Sequence, residues 1–217
     1  MSLDTERFVR DGFAAVRGAF DPGVAAACRA AIWGDLGGQG VVEDDRASWP
    51  SVLHIDCGKG DVFSAAGTSP VPAAAYDELI GRGRWTRPVD AGGAIVVRFP
   101  SEDRAEAGYH IEGSYGGPGG YWVNVRSRAR GLLALLLLSD VGPDDAPPRL
   151  VCRSHLYVPE LLASYGEAGT NADAELWRPS VLCRPVAHAT GRPATPSCAT
   201  RSWCTPPPGR TEAPGRA

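Results

Sequence analysis

The sequence predicts one domain that is mainly β with flanking helices, an α+β fold. Its 217 residues suit a single domain with a buried core. The composition, with 43% hydrophobic and 22% charged residues, is typical of globular proteins rather than disordered ones. The pattern also changes along the chain. Helical spacing of apolar residues ends near Ile80, whereas β-branched and aromatic runs begin at Ala94.

Three helices are predicted in the N-terminal part. The stretch Asp4–Arg10 has helical character and ends at Gly12. Asp21 is followed by a proline, which is a common helix start, and apolar residues then recur at helical spacing. This predicts an amphipathic helix over residues 22–36. A third helix is expected over Ser69–Ile80, with prolines near its start and a glycine after its end.

Strands are predicted to dominate the rest of the chain. The near-continuous apolar run Gly131–Ser139 has the length of a fully buried strand, with a buried helix as the alternative. A short helix is expected over Pro159–Ser164. The other strands are predicted over Ala94–Phe99, Tyr121–Ser127, Arg149–Cys152 and Val181–Val186.

Charge and composition exclude several kinds of partner. The formal net charge is -3, so no basic surface for nucleic acid is expected. The absence of a run of about 18 apolar residues argues against a membrane span. The first residues lack the basic and apolar regions of a secretory signal, so the cytoplasm is the expected location. The 6 cysteines form no CxxC pair and are expected to be free thiols.

His110 and Glu112 are the first candidates for chemistry. They stand two residues apart, and on an extended segment such residues point to the same side. An imidazole and a carboxylate on one side supply two of the three ligands of a facial triad for non-haem Fe(II), which leaves positions open for a cosubstrate and O2. A solvated pair at a strand edge is the alternative.

Five segments of the chain occur in a characteristic order. They are FVRDGFAAVRGAFDP, GAIVVRFPS, GYHIEGSY, VRSRARGLLALLLLSDVGPDDAP and RLVCRSHLYVP. This series resembles the phytanoyl-CoA dioxygenase family of Fe(II)/2-oxoglutarate oxygenases, roughly over residues 8–190. The resemblance implies a double-stranded β-helix, which is a cupin-like jelly roll, with flanking helices. It also implies Fe(II) and 2-oxoglutarate as cofactors, and hydroxylation of a small organic substrate.

The resemblance assigns roles to individual residues. His110 is the first iron ligand, and Glu112 is the carboxylate ligand, where the family usually has Asp. Arg98 and Asn124, on predicted strands, are candidates for contacts to cosubstrate or substrate. Solvated or structural polar positions are the alternative for these two residues.

The sequence departs from the family downstream of these residues. Arg153 stands where the family commonly has glycine, ahead of a Ser-His pair whose His155 we interpret as structural. The family's third iron ligand is a His on a late strand, followed by an Arg that binds 2-oxoglutarate. No His follows His188 in this chain, and we interpret His188 as a strand or loop residue rather than a substitute ligand.

The last part of the chain has a different composition. Residues 194–217 contain no Val, Ile, Leu, Met, Phe or Tyr and cannot contribute much to a core. We therefore expect a jelly-roll domain with N-terminal helices over residues 1–193 and a disordered or out-of-frame tail over 194–217. The last strands of the jelly roll are then missing, and the oxygenase is expected to be impaired. A non-catalytic jelly-roll binding protein is the rival hypothesis, and a cupin-like protein with another metal is a third.

A change of reading frame is our hypothesis for the unusual tail, and a genuinely divergent tail is the alternative. Trp203 and the first two bases of the Cys204 codon fix Val in the alternative frame, and the next codon there encodes His or Tyr. We predict that nucleotide sequencing from the codon for His188 onward will find a one-base change that restores an open frame with a His and a later Arg. Stop codons throughout the alternative frame would show that the tail is genuine.

Overall fold

The computed structural model describes residues 3–55, 58–92, 95–100, 109–111, 115–117, 120–126, 132–171, 184–193 and 197–200. Within these ranges the helices are α1 (Thr5–Asp11), α2 (Pro22–Gly38), α3 (Asp61–Gly67), α4 (Pro70–Leu79) and α5 (Val158–Ala163), with short 3-10 helices at Arg46–Ser48 and Ser154–Leu156. The strands are β1 (Phe13–Ala15), β2 (Val52–Ile55), β3 (Ile95–Arg98), β4 (Tyr115–Gly117), β5 (Gly120–Val123), β6 (Leu132–Leu135), β7 (Arg149–Val151), β8 (Thr170–Asn171), β9 (Val186–His188) and β10 (Ser197–Thr200).

The helices begin and end close to the predicted positions. The side chain of Asp4 accepts a hydrogen bond from a backbone N–H in the first turn of α1, and α1 ends at Gly12, whose φ is +88°. The side chain of Asp21 caps α2 in the same way. Such caps satisfy backbone donors that a first helical turn leaves unpaired. The four predicted helices are confirmed as α1, α2, α4 and α5.

The strands of the described ranges form four small sheets. Their strand orders are β1-β10-β6, β2-β3, β4-β5-β8 and β7-β9. Each of these pairings is antiparallel. The class of mixed helix and strand is confirmed, whereas the jelly roll and the loss of its last strands stay predictions.

Most predicted strands have a counterpart in these sheets. The predictions that begin at Ala94, Tyr121 and Arg149 correspond to β3, β5 and β7, each somewhat shorter than expected. For the strand predicted over Val181–Val186, residues 181–183 lie outside the described residues, and β9 begins at Val186. No helix in the described part of the chain is long and apolar enough to cross a bilayer.

The largest core lies between α2, α3 and one face of the β2–β3 sheet. Helix α2 buries one face against the sheet, and α3 adds Phe63 and Ala66. Removing this apolar surface from water is the main stabilising contribution, at about 25 cal/mol per Å². The residues that α2 buries are Ala25, Cys28, Ile32 and Leu36, and those that the sheet contributes are Leu53, Ile55, Ile95 and Val97.

The apolar run Gly131–Ser139 forms a strand rather than the alternative helix. Leu132–Leu135 make up β6, pair with β10 and are half-buried. Beyond the strand, Leu136 and Leu138 pack against the α2 core, and Leu137 is 7% exposed. The strand prediction is confirmed over a shorter range. The side chains of β6 are less deeply buried than predicted, because this strand does not pack against the core between α2, α3 and the β2–β3 sheet.

Strand β10 lies inside the segment predicted to be a disordered or out-of-frame tail. It occupies the centre of a three-stranded sheet, where Ala199 pairs with Phe13 of β1 and with Leu133 of β6. Low apolar content does not prevent this pairing, because the ladder uses backbone groups, and without β10 both neighbours would present unpaired edges. The rest of residues 194–217 lies outside the described residues, and the boundary after residue 193 stays a prediction.

Gly12 offers a direct test of the junction between α1 and the segment that contains His155. Its φ of +88° is left-handed, and an added Cβ would lie 2.4 Å from Nδ1 of His155. Gly18 is the matched control, since its φ is +64° and nothing lies within 4 Å of its added Cβ.

We expect Gly18→Ala to lower the free energy of unfolding by about 1–2 kcal/mol through backbone strain alone. Gly12→Ala should cost at least about 1 kcal/mol more, because His155 must move and its hydrogen bond is disturbed. Urea denaturation of both variants measures the difference. Equal losses would show that His155 does not pack on Gly12.

Candidate active site

The β2–β3 sheet carries two polar side chains on the face away from the core. His54 of β2 pairs with Val96 of β3, and Arg98 lies two residues further along β3. Directly paired residues, and residues two apart on a strand, share one face of a sheet. His54 and Arg98 therefore project from the same surface. Leu53 and Val97, which alternate with them, pack into the core.

His110 lies close to this surface. Burial lowers the pKa of His54 below its usual value, and the positive charges of Arg98 and His110 lower it further. Charges have such effects only over short distances, since salt screens exposed charges beyond about 10 Å. The environment thus favours the neutral imidazole of His54, the form that accepts a proton or binds a metal.

The neighbours of His110 in the chain are both anchored. Ile111 is 1% exposed and packs in a cluster with residues of β5 and α5. Tyr109 packs against Val151 of β7. The guanidinium carbon of Arg149 lies 4.9 Å from the centre of the Tyr109 ring, a cation–π contact. His110 is half-buried between these two anchors, so its backbone position is well defined.

Two effects act on the Arg98 guanidinium, its burial and the positive charge of Arg149. Burial lowers the pKa of Arg98, and the charge of Arg149 lowers it further. Arg98 is half-buried, and among the residues that the structure describes no carboxylate forms an ion pair with it. A partly desolvated cation beside a second cation is stabilised by a bound anion.

Asn124 makes local contacts at the end of β5. Its side-chain N–H donates to the carbonyl oxygen of Glu167 at 2.7 Å. Its side-chain oxygen accepts from the backbone N–H of Arg126 at 2.9 Å, and Arg126 forms an ion pair with Glu167. These contacts join β5 to the chain before β8. A contact of Asn124 with cosubstrate stays a prediction.

The predicted iron ligands fall partly outside the described ranges. His110 is described, whereas Glu112 lies outside the described residues. In the ranges that can be described, no group of three His, Cys, Asp or Glu side chains is arranged to hold a metal ion. The His110 imidazole is a donor of the kind that iron binds, and one such donor is too few to hold Fe(II) alone.

The Arg153–His155 segment fixes the chain against α1. The backbone N–H of Arg153 donates to the carbonyl oxygen of Asp11 at 2.8 Å, and Nε2 of His155 lies 2.9 Å from the carbonyl oxygen of Val9. This agrees with the structural interpretation of His155. Arg153 has a φ of +66°, a left-handed conformation that glycine adopts without strain. The resembling family commonly has glycine at this position.

His188 is the last residue of β9 and is exposed. It pairs with Arg149 of β7, so both side chains project from the same face of the β7–β9 sheet. This agrees with the interpretation of His188 as a strand residue. Its proximity to Arg149 places the end of β9 next to the site.

Comparison with known proteins shows the fold of the chain. No family model and no curated protein matches it. The epimerase SnoN in complex with Fe3+, α-ketoglutarate and nogalamycin RO has a similar structure. The similarity covers 93% of this chain and 74% of SnoN, with 17% identity and a TM-score of 0.61.

Two further solved structures are similar. One is SnoN described as a non-haem α-ketoglutarate-dependent epimerase from nogalamycin biosynthesis, with 17% identity, a TM-score of 0.59 and coverage of 93% of this chain and 71% of that chain. The other is HygX from Streptomyces hygroscopicus with nickel and 2-oxoglutarate bound, with 18% identity, a TM-score of 0.45 and coverage of 94% and 80%. The SnoN matches show that this chain has the SnoN fold.

His54 and Arg149 are two parts of the site that the sequence analysis missed. The alternation in the sequence VLHI is the signal that could have placed His54 on the outer face of a strand. Arg149 carries no such local signal, because its proximity to Arg98 depends on how two separate sheets pack.

The strain at Arg153 yields a prediction with a matched pair of variants. Arg153→Gly and Arg153→Ala both remove the side chain, but only glycine tolerates the φ of +66° without cost. We expect the glycine variant to be more stable than the alanine variant by about 1 kcal/mol. Thermal and urea denaturation measure this difference. A more stable alanine variant would show that the backbone is not left-handed there.

Proposed function

We propose that this chain is a non-haem Fe(II)/2-oxoglutarate-dependent oxygenase of the phytanoyl-CoA dioxygenase type that acts on a small organic molecule. The observation that carries the proposal is the similarity to SnoN over 93% of the chain. SnoN was crystallised with Fe3+ and α-ketoglutarate. The anchored His110, which the sequence resemblance identifies as an iron ligand, supports the same function.

Each residue of the site has a distinct part in this proposal. His110 and Glu112 hold the iron, and the half-buried Arg98 binds a carboxylate. Burial and nearby positive charge favour neutral His54, so this residue adds no charge that would repel the metal. When bound, the iron centre couples decarboxylation of 2-oxoglutarate to oxidation of an unreactive C–H bond. Asn124 is the remaining candidate for a contact to cosubstrate or substrate.

The proposed site lacks two groups of the family. No His follows His188 to serve as the third ligand, and in the described part of the chain β10, the last strand, contains no Arg that could serve as the family's later Arg for 2-oxoglutarate. Two protein ligands hold Fe(II) more weakly than three, so we propose that this chain is impaired. The same absence favours a second candidate, a jelly-roll protein that binds a small molecule without catalysis.

Iron titration tests both candidates. Metal-free protein is titrated with Fe(II) under anaerobic conditions with 2-oxoglutarate present, and succinate formation is then measured in air. We expect weaker iron affinity than at a complete triad. His110→Ala and Glu112→Ala should each reduce it further, by more than about 100-fold, because loss of an outer hydrogen-bond partner alone costs about 10–100-fold.

Two other variants complete this experiment. Glu43→Ala removes an exposed carboxylate far from the site in sequence and should leave iron affinity unchanged. His188→Ala should also leave it unchanged, whereas a large loss would make His188 the third ligand. Affinity equal to that of a complete triad would contradict the proposed impairment. No iron binding, with ligand binding that survives Glu112→Ala, would favour the non-catalytic binding protein.

A further inference from the structure

We propose that a cavity between α4 and the segment that follows it binds a small zwitterion, a molecule with one ammonium and one carboxylate group. The cavity has a volume of about 260 Å³ and is lined by Ala73, Asp77, Gly83, Trp85 and Arg87. This volume is below the roughly 300–1,000 Å³ of sites for drug-sized ligands, so the cavity fits a molecule of few heavy atoms. None of these residues belongs to the proposed iron site, so the inference goes beyond the proposed function and does not depend on it.

The backbone forms this cavity by turning back on α4. Ala73 and Asp77 stand four residues apart on α4 and therefore lie on one face of the helix. The backbone N–H of Gly81 donates to the carbonyl oxygen of Asp77 at 3.1 Å, and the φ of Gly81 is +103°, a conformation that favours glycine. The chain thereby returns across that face of α4. Because Ala73 and Gly83 carry no large side chain, the space between the two segments stays open.

The indole of Trp85 is held in place at the wall of the cavity. Its Nε1–H donates to Oδ1 of Asp77 at 2.9 Å. Its ring also meets that of Tyr76 edge to face, with the ring centres 5.1 Å apart and an angle of 80° between the planes. Tyr76 can cover at most one face of the indole. An indole in a cavity wall attracts an organic cation that reaches its face, because the ring quadrupole is negative there.

Asp77 supplies a negative charge that its own partners satisfy only in part. One carboxylate oxygen accepts the indole N–H, and the other, Oδ2, lies 3.8 Å from Nε of Arg82. The side chain of Arg82 is 90% exposed, whereas that of Asp77 is 32% exposed. An ion pair with so exposed a partner contributes little stability, so the ammonium group of a ligand can take the place of Arg82.

Arg87 supplies the opposite charge at the same cavity. It is exposed, and among the described residues no carboxylate forms an ion pair with it. Guanidinium groups bind carboxylates through paired hydrogen bonds. A cavity with one carboxylate, one guanidinium and an indole thus matches a ligand that carries both an ammonium and a carboxylate group. Amino acids and betaines have this composition, and a simple cation or anion would satisfy only half of the site.

NMR titration of the full chain tests the proposal. The chain has 6 tryptophans, and Trp85→Phe identifies the indole N–H signal that belongs to Trp85. We expect glycine betaine or L-alanine to shift this signal until it saturates, and the tighter binder identifies the class of zwitterion. The matched cation (choline or ethylamine) and the matched anion, propionate, should each bind at least about 10-fold more weakly, as expected for loss of one charge-assisted hydrogen bond or ion pair.

Four variants locate the two charges. Asp77→Asn keeps an oxygen that accepts the indole N–H but removes the negative charge, and Arg87→Gln removes the positive one. Each should raise Kd at least about 10-fold. Arg84→Gln removes a neighbouring exposed arginine that does not line the cavity and should leave Kd unchanged. Arg82→Gln should leave Kd unchanged or lower it, because it removes the cation that competes for Asp77.

Three results would overturn the proposal. The first is that neither zwitterion shifts the Trp85 signal of the native protein. The second is binding that survives both Asp77→Asn and Arg87→Gln. The third is a matched cation that binds as tightly as its zwitterion, which would make the cavity a site for cations alone. If Asp77→Asn does not fold, Arg87→Gln still decides the question, because Arg87 is exposed. No metal is added, so failure of the Fe(II) titration would leave this result intact.

Discussion

The two faces of the β2–β3 sheet determine the rest of the candidate site. One face is committed to the core beneath α2, and the alternation of side chains then forces His54 and Arg98 onto the other face. A shift of β3 by one residue would bury Arg98 and expose Ile95 and Val97, so the hydrophobic core itself fixes the register. The polar surface is thus a geometric consequence of apolar packing.

The elements with strong local signals could be predicted from the sequence. Helix α2 has a capping Asp21, a proline at its first position and a long apolar period, and β6 follows from an uninterrupted leucine run. The elements that were missed are short, such as β1 and β8, and carry little periodicity. Their strand conformation comes from partners distant in the chain, which a local pattern does not contain. Strand β10 is the extreme case, since its composition argues against any ordered role.

The candidate site was predictable only where its residues are close in sequence. His110 and Glu112 stand out as a pair because their spacing alone suggests chemistry. Arg98 could be found through its strand, but His54 and Arg149 could not. Their electrostatic influence on this surface depends on the packing of elements that are distant in the sequence. The likeness to SnoN supplies the fold that brings such segments together, and the charges of these side chains then indicate what the site can bind.

The central position of β10 in its sheet also affects the order in which this sheet can form during synthesis. Its two partners, β1 and β6, both precede it in the chain, so both leave the ribosome before β10 does. Until β10 has been synthesised, the edges of β1 and β6 that it will pair with therefore have no partner. Contacts between such distant parts of a chain form slowly. Until they form, the unpaired strand edges can pair with strands of other molecules. The sheet is therefore closed to such pairing only after β10 has been synthesised and has taken its place between β1 and β6.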